Sequence, residues 1–251
     1  MKTMKFVAAG VVVIGSVLIS SAATVSDNFD SYADQTAFNA VWATSGTPMT
    51  LVNTQSWSSP NSIYQGTGAQ QSRLAIGTDI PVSMLDFGFR FYDPLGADSL
   101  ARTYGMVYAY QGGIWGGTLQ QIVAIGKYNT IADSGNPTYH ARVAFGSINW
   151  FKLDDPGAPQ RSVGWHEARV IGSLINPTTA QYQFYIDGIL SKTVTSTVTA
   201  PFNWIVMGSN LSSTHGMWYD DVYVVVPEPS VAALGLMGGV GLLWLFRRRT
   251  V

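Results

Sequence analysis

Hydrophobic and polar positions alternate most clearly between Met84 and Tyr92. Leu85, Phe87, Phe89 and Phe91 alternate there with Met84, Asp86, Gly88, Arg90 and Tyr92. Successive side chains of a strand point to opposite faces, so this period of two predicts a β-strand whose phenylalanines face a core. The next residues, Asp93-Pro94-Leu95-Gly96, predict a turn because proline presets φ and removes a ladder donor.

Similar runs recur along the chain and are separated by turn residues. They lie at Tyr104 to Tyr110, Leu119 to Tyr128, Tyr139 to Phe145, Ser162 to Ile171, Gln181 to Asp187, Asn203 to Gly208 and Met217 to Val226. Helical periodicity is confined to a short predicted helix from Gln35 to Trp42, with Thr36 as its cap. About twelve strands therefore predict an all-β fold, a two-sheet antiparallel jelly-roll sandwich.

The N-terminus has the pattern of a secretory signal. Lys2 and Lys5 precede an uncharged apolar run from Phe6 to Ile19, and Ser21-Ala22-Ala23 supplies the small residues of a cleavage site. We therefore expect residues 1–23 to form a signal helix that signal peptidase removes, so that the mature protein begins at Thr24.

The C-terminus combines three parts: Pro227-Glu228-Pro229, an uncharged run from Ser230 to Phe246, and Arg247-Arg248-Arg249. As a helix, the run would be about 26 Å long, slightly short of a hydrocarbon core of about 30 Å. It predicts a marginal transmembrane helix in the inner membrane. The arginines should stay cytoplasmic, which places the preceding chain on the far side.

This order of parts resembles the PEP-CTERM sorting signal of Gram-negative bacteria, over residues 227–251. The resemblance implies that an exosortase, a membrane-embedded cysteine protease, recognises the tail and cuts near Pro227-Glu228-Pro229. The body would then reside at the cell surface or in the extracellular matrix. An ordinary C-terminal anchor is the alternative, and it gives the same exported topology.

Residues 24–226 remain for one domain, which is within the range of a single β-sandwich. This body carries nine Lys or Arg against fourteen Asp or Glu, a formal charge of -5, so a nucleic-acid partner is not expected. The chain has no cysteine, which excludes disulfides, thiol nucleophiles and thiolate metal sites.

Several short motifs of the body are similar to laminin-G-like and concanavalin-like jelly rolls. They are Asp27-Asn28-Phe29-Asp30-Ser31-Tyr32, which looks like a first strand, Gly164-Trp165-His166, Phe184-Tyr185-Ile186-Asp187-Gly188, Val206-Met207-Gly208-Ser209 and Tyr219-Asp220-Asp221-Val222. The resemblance implies the fold more than any activity. Physically, Asp187-Gly188 predicts a tight hairpin turn. His166 lies on the same alternating face as Ala168 and Val170, which predicts a hydrogen-bonded, partly buried histidine and not a catalyst.

Concanavalin-like folds also include glucanases, whose retaining mechanism needs two carboxyl groups about 5 Å apart. The body contains one glutamate, Glu167, while Asp154-Asp155 precedes Pro-Gly and predicts a turn. There is no nucleophile elbow, zinc motif or phosphate loop. We therefore expect no enzymatic activity, with a secreted carbohydrate-active enzyme of the glycoside hydrolase type as the alternative.

Two further functions are open for an exported sandwich. Trp57 and Trp115 lie in polar or glycine-rich stretches where an indole could stack on a sugar, which predicts glycan binding, with packing under loops as the alternative. A structural matrix protein without a ligand is the other function.

A structural calcium ion is expected where the first and last strands meet. Asp27 and Asp30 lie near one end of the body and Asp220 and Asp221 near the other, and jelly rolls bring these ends together. A solvated strand end or a side chain capping a turn is the alternative.

Overall fold

The computed structural model describes residues 23–44, 46–97, 101–129, 137–145 and 148–226. Within these ranges the chain forms two antiparallel sheets, which confirms the β-sandwich that the alternation predicts. Residues 1–22 of the predicted signal segment and the predicted tail, residues 227–251, lie outside the described ranges, whereas Ala23 pairs with Val226 in the sheet. Among the residues described, no helix is long and apolar enough to cross a membrane.

The described residues contain fourteen strands and one α-helix. The strands are β1 (Ala23–Asp27), β2 (Thr50–Val52), β3 (Ser62–Gln65), β4 (Ser72–Ile80), β5 (Asp86–Asp93), β6 (Thr103–Tyr110), β7 (Leu119–Lys127), β8 (His140–Ala144), β9 (Ile148–Lys152), β10 (Gly164–Asn176), β11 (Thr179–Ile186), β12 (Ile189–Ser196), β13 (Phe202–Met207) and β14 (Met217–Val226). The helix α1 spans Gln35–Val41, and short 3-10 helices span Val82–Met84 and Gln111–Gly113.

The larger sheet has eight strands in the order β12-β11-β10-β5-β14-β3-β2, with β1 also paired to β14. The smaller sheet has six strands in the order β4-β13-β6-β7-β8-β9. Strands that are adjacent in space are often distant in sequence, since β5 lies between β10 and β14. The first strand, β1, pairs directly with the last strand, β14, as we expected.

The hydrophobic core lies between the two sheets. Phe87, Phe89 and Phe91 of β5 are at most 1% exposed, which confirms that this alternating face points inward. The six-stranded sheet supplies aliphatic side chains to the same core, among them Val107 and Val123. These rings and aliphatic groups fill the space between the layers and hold the cysteine-free domain together.

The turn between β11 and β12 is the predicted Asp187-Gly188 hairpin. Both residues have positive φ angles, 52° and 75°, as a two-residue turn that matches the strand twist requires. Asp187 tolerates this conformation because its side chain is hydrogen-bonded, accepting from the backbone N–H of Glu167 at 2.8 Å.

The N-terminal region differs from the prediction in two respects. The first strand ends at Asp27 and does not continue to Tyr32, because Phe29 has a φ of 62° and the Asp27 carboxylate accepts its backbone N–H at 2.7 Å. The helix is capped by Asp34, whose side chain accepts from a backbone N–H of the first turn, and Thr36 lies inside the helix.

Candidate functional site

The outer face of the six-stranded sheet carries a second hydrophobic cluster, separate from the core. On β6, Val107 and Ala109 belong to the core, while Tyr104 and Met106 belong to the second cluster and Tyr108 packs against it. Alternation therefore places these last three side chains on the side away from the eight-stranded sheet. Seven tyrosine, tryptophan and arginine side chains define this surface, which we call the arginine–aromatic face: Arg73, Tyr104, Tyr108, Trp115, Arg142, Trp150 and Trp204.

Two arginines lie in one row across the strands of this face. Arg73 of β4 is opposite Val206, which is followed across the sheet by Met106, Ala124, Arg142 of β8 and Trp150 of β9. Four strand spacings separate the two arginine backbones, which is roughly 19 Å. The row therefore places a cation near each end and apolar side chains between them.

Aromatic rings surround each arginine. Arg73 lies 4.2 Å from the centroid of the Trp115 ring, which stacks on Tyr108 with centroids 5.5 Å apart and planes at 15°. Trp204 packs at 5.4 Å against Trp115, and its Nε1 donates to the carbonyl oxygen of Gly113 at 2.9 Å. These contacts hold the indole of Trp115 in one orientation.

A second group of rings lies beside Arg142. Trp150 stacks on Tyr128 with centroids 4.3 Å apart and planes at 9°, and it lies 4.6 Å from Tyr104. Trp150 is also the direct cross-strand neighbour of Arg142. Both ends of the face thus combine a guanidinium group with flat, partly buried rings.

Neither arginine has a charged partner among the residues that the structure describes. Arg73 Nε and Nη1 and Arg142 Nε are buried there without a hydrogen-bond partner. Burial lowers the pKa of Arg73 below its usual value. A partly buried cation without a counter-charge costs free energy, so an anion placed beside either guanidinium would stabilise it.

The tyrosines of this face are protonated at neutral pH. Burial raises the pKa of Tyr108 to about 12 and raises the pKa of Tyr104 further, although the charge of Arg142 opposes both shifts. Their hydroxyl groups can therefore donate hydrogen bonds to a ligand.

The structure places Trp57 and Trp115 on different sheets. Trp115 belongs to the arginine–aromatic face, whereas Trp57 lies over the eight-stranded sheet, 6.1 Å from Trp165 and under the guanidinium of Arg90 at 4.7 Å. The two tryptophans therefore cannot contact one short ligand together.

The four aspartates proposed for calcium lie near the junction of β1 and β14. Asp27 and Asp221 line one cavity of about 630 Å³. Asp27 accepts hydrogen bonds from Tyr32 and Trp42, Asp30 accepts from the backbone of a neighbouring loop, and Asp220 accepts from the Trp57 backbone N–H at 2.7 Å.

These hydrogen bonds occupy oxygens that a metal would need. Within the described ranges, no three His, Cys, Asp or Glu side chains are placed to hold a metal ion. The residues present thus do not form a ready calcium site, and calcium binding stays a prediction. Melting temperatures measured with EDTA and after re-addition of calcium test it.

His166 lies in a hydrogen-bond network with Ser162 and Asp187. Its Nδ1 is 2.8 Å from Asp187 Oδ2, and its Nε2 is 2.9 Å from the Ser162 carbonyl oxygen and 3.3 Å from Ser162 Oγ. Burial acts to lower the pKa of His166, but its hydrogen bonds to Asp187 and to the Ser162 carbonyl outweigh burial and raise it. The Asp187 carboxylate and the Ser162 carbonyl oxygen are both acceptors, so a protonated imidazole, with an N–H on each ring nitrogen, matches this arrangement.

The sequence predicts Trp115 as a ligand-contacting residue but does not predict the residues around it. Arg142 alternates with the buried Ala141 and Val143, which marks it as an outward position of β8. Trp204 is likewise the less buried position between Asn203 and Ile205, but residue types do not alternate there, so the sequence does not mark it. What the sequence does not contain is the strand order that brings these positions together.

No family model matches the chain, and no curated protein matches it. Among solved structures, it is similar to an endo-β-1,4-glucuronan lyase from the fungus Trichoderma reesei, with 16% identity over 71% of this chain and 86% of that one, at a TM-score of 0.47. It is also similar to an alginate lyase bound to an alginate tetrasaccharide, with 11% identity over 82% and 98% of the two chains, at a TM-score of 0.49. A laminarinase from Flavobacterium sp. UMI-01 is 10% identical over 68% and 80%, at a TM-score of 0.40.

These neighbours correct one expectation. The expectation that the protein is not an enzyme is contradicted, because two polysaccharide lyases and a laminarinase are among its neighbours in fold. The expectation rested on the lack of a suitable carboxyl pair, nucleophile elbow, zinc motif and phosphate loop, whereas tyrosine and lysine also transfer protons in enzymes. At 10–16% identity the likeness concerns the fold alone, and no activity is carried over to this chain.

Proposed function

We propose that this protein is exported to the cell surface or extracellular matrix and binds an anionic polysaccharide on the arginine–aromatic face. The observation that carries the proposal is the pair Arg73 and Arg142, which share one row of the sheet and have no charged partner among the described residues. A carboxylate or sulfate on a sugar would neutralise each guanidinium and accept its hydrogen bonds.

A glycan fits this face better than a small anion because of the rings beside each arginine. Trp115 and Trp150 present aromatic surface next to the cations, and aromatic side chains combine apolar area with polar tips. The roughly 19 Å between the arginine backbones exceeds the length of one sugar, so a polymer would reach both ends.

Binding of a polyuronate tests the proposal directly. Affinity electrophoresis and calorimetry would compare wild type with Arg142→Gln and Arg73→Gln. Each change should weaken binding about tenfold, since hydrogen bonds to charged groups contribute about 1.5 to 3 kcal/mol. Added salt should also weaken binding by the wild type.

Arg169→Gln is the matched control because it removes the same charge from the other sheet, where Arg169 already pairs with Asp86 at 2.6 Å. It should bind like wild type. If Arg142→Gln and Arg73→Gln also bind like wild type, the face does not hold the anion and the proposal is wrong.

A second candidate is cleavage of the bound polymer by elimination. It is favoured by the position of Arg142, which lies close enough to Tyr104 and Tyr108 for its charge to oppose the burial that raises their pKa values. In such a reaction a base removes the proton beside the uronate carboxylate, a double bond forms, and the departing oxygen takes a proton. Arg142 would neutralise the carboxylate, the phenolate of Tyr104 or Tyr108 would remove the proton, and the phenol so formed would give it to the departing oxygen. Because burial raises both tyrosine pKa values, little of the phenolate that would act as the base is present at neutral pH, and binding is the first candidate.

Ultraviolet absorbance of the unsaturated product would detect elimination. Tyr104→Phe should abolish any such signal while keeping the ring. A signal that Tyr104→Phe retains would exclude Tyr104 from the chemistry.

The exported location is proposed from the sequence. Its support is the N-terminal segment with the features of a secretory signal and the resemblance of residues 227–251 to an exosortase substrate.

A further inference from the structure

The outer face of the eight-stranded sheet carries a single row of aromatic side chains across its strands. Tyr64, Trp218, Tyr92 and Trp165 are direct cross-strand neighbours on β3, β14, β5 and β10, and Trp57 extends the row from a loop. We call these five residues the cross-strand aromatic row. Successive ring centroids are 4.6, 5.8, 5.7 and 6.1 Å apart, so the rings form one continuous line.

The row faces away from the core. Phe91 and Tyr219 adjoin the row on β5 and β14, and both are fully buried between the sheets, so alternation directs Tyr92 and Trp218 outward. Trp57 is 51% exposed, the largest exposure in the row. Nothing in the described part of the chain covers this indole completely, which leaves it available to a ligand.

The loop that carries Trp57 is fixed to the sheet. Asp220 of β14 is fully buried, and its Oδ2 accepts the backbone N–H groups of Trp57 at 2.7 Å and Ser58 at 3.0 Å. Arg90 lies over one side of the Trp57 ring. The indole is thus held at the end of the row before any ligand arrives, which lowers the entropic cost of binding.

The charges beside this row are paired, in contrast to the arginine–aromatic face. Arg90 lies 3.3 Å from Glu167, and Arg169 makes two contacts with Asp86 at 2.6 and 2.7 Å. These groups already have their counter-charges. The row therefore offers no unpaired cation to an anion and favours an uncharged ligand.

We propose that the cross-strand aromatic row is a second binding surface, which takes an uncharged polysaccharide chain through the apolar faces of its sugar rings. A row that is one side chain wide and runs across four strands suits a linear polymer. A protein partner would need a broad apolar patch, but the positions next to Tyr92 and Trp165 on this face are the charged pair Arg90 and Glu167. Since the two surfaces lie on opposite sheets, one molecule could connect a neutral polymer to an anionic one.

The test uses the purified body and a panel of uncharged soluble polysaccharides, β-glucan, xylan and mannan, in affinity electrophoresis. At least one should retard the wild type. Trp57→Ala and Trp165→Ala should each raise the dissociation constant about tenfold for that polymer. Ile175→Ala, which removes a 56% exposed side chain at the far end of β10, is the matched control and should behave like wild type.

The melting temperature of each variant is measured to detect lost folding. If Trp165→Ala is unstable, Trp57→Ala still tests binding, because it changes a loop residue and not a strand residue. Both variants should bind a polyuronate as the wild type does. Loss of binding at the cross-strand aromatic row can therefore be told apart from loss of binding at the arginine–aromatic face. The proposal is wrong if no uncharged polymer retards the wild type or if Trp57→Ala binds as Ile175→Ala does. It is also wrong if the wild type sediments as a dimer that Trp165→Ala converts to monomer, since the row would then join two copies.

Discussion

Lys127 Nζ lies 3.0 Å from both carboxylate oxygens of Asp93, and neither side chain is exposed to solvent. Asp93 ends β5 and Lys127 ends β7, so this ion pair joins the two sheets. Tyr139 donates to Asp93 at 3.3 Å, and Lys127 donates to the carbonyl oxygen of Gly96 at 3.1 Å. The remaining hydrogen-bonding capacity of the pair is thereby used, as burial of two charges requires.

We predict that Lys127→Met or Asp93→Asn alone destabilises the protein by about 3 to 5 kcal/mol, because each leaves a buried charge without its partner. The double variant should lose less than the sum of the two single losses, since no charge remains unpaired. Urea unfolding of the four proteins measures this coupling. Strictly additive losses would show that the pair does not interact in the folded state.

A second prediction concerns the phenylalanines of β5. Phe89 packs against Phe87 at 5.6 Å and faces Gly105 of the opposite sheet, where an added Cβ would come within 2.5 Å of its ring. Phe89→Ala should cost about 3 to 5 kcal/mol, because apolar transfer energy is lost and a cavity remains between the sheets.

Met84→Ala is the control for this change, since Met84 is 51% exposed just before β5. It should unfold at nearly the wild-type urea concentration. An unfolding midpoint of Phe89→Ala equal to that of Met84→Ala would mean that the ring does not support the core.

Local pattern was sufficient to predict the core face of β5 and the Asp187-Gly188 turn. Phe89 lies in a long alternating run, and the turn needs two specific residues next to each other. The short strands Thr50–Val52 and Ser62–Gln65 were missed because three or four residues are too few to show a period.

The candidate sites depend on strand order, which local pattern does not contain. Arg73 and Arg142 are 69 positions apart in the numbering and share a row only because β13, β6 and β7 lie between their strands. Burial of Lys127 likewise depends on Asp93, which a different strand supplies. Trp115 could be identified alone because its glycine-rich surroundings mark a loop.

A third prediction concerns processing of the two termini. The exported form should begin near Thr24 and lack residues 230–251, as expected for a signal peptide and an exosortase-cut tail. Intact-mass measurement of the exported protein checks both ends. A mass that includes the tail would indicate a permanent anchor.

Replacing Arg247, Arg248 and Arg249 with Ser should impair retention and processing, because basic residues beside a membrane segment favour a cytoplasmic position for that end. The urea unfolding midpoint of the released body should not change. Unaltered processing of this variant would count against recognition of the basic cluster.

The last prediction is a pH dependence of stability that originates at Asp220. Burial raises the pKa of Asp220 to about 6, and this effect outweighs the hydrogen bonds from Trp57, Asp221 and Ser58, which stabilise the ionised form. In the unfolded chain the same carboxyl has a pKa of about 3.9. At pH values between these two pKa values, the folded protein therefore binds more protons at Asp220 than the unfolded protein does. The contribution of Asp220 to stability consequently falls as pH rises from about 4 to about 6 and is constant above that.

Asp220→Asn isolates this contribution because an amide does not titrate. The melting temperature of wild type minus that of Asp220→Asn should decrease between pH 4 and pH 6.5 and then level off. Ile175→Ala is the control, since it changes an exposed side chain that does not titrate, and its difference from wild type should stay the same across this pH range. If the difference for Asp220→Asn instead increases with pH, the four hydrogen bonds that Asp220 accepts outweigh the effect of burial. The pKa of Asp220 would then lie below its usual range, and an ionised carboxylate would hold the loop that carries Trp57.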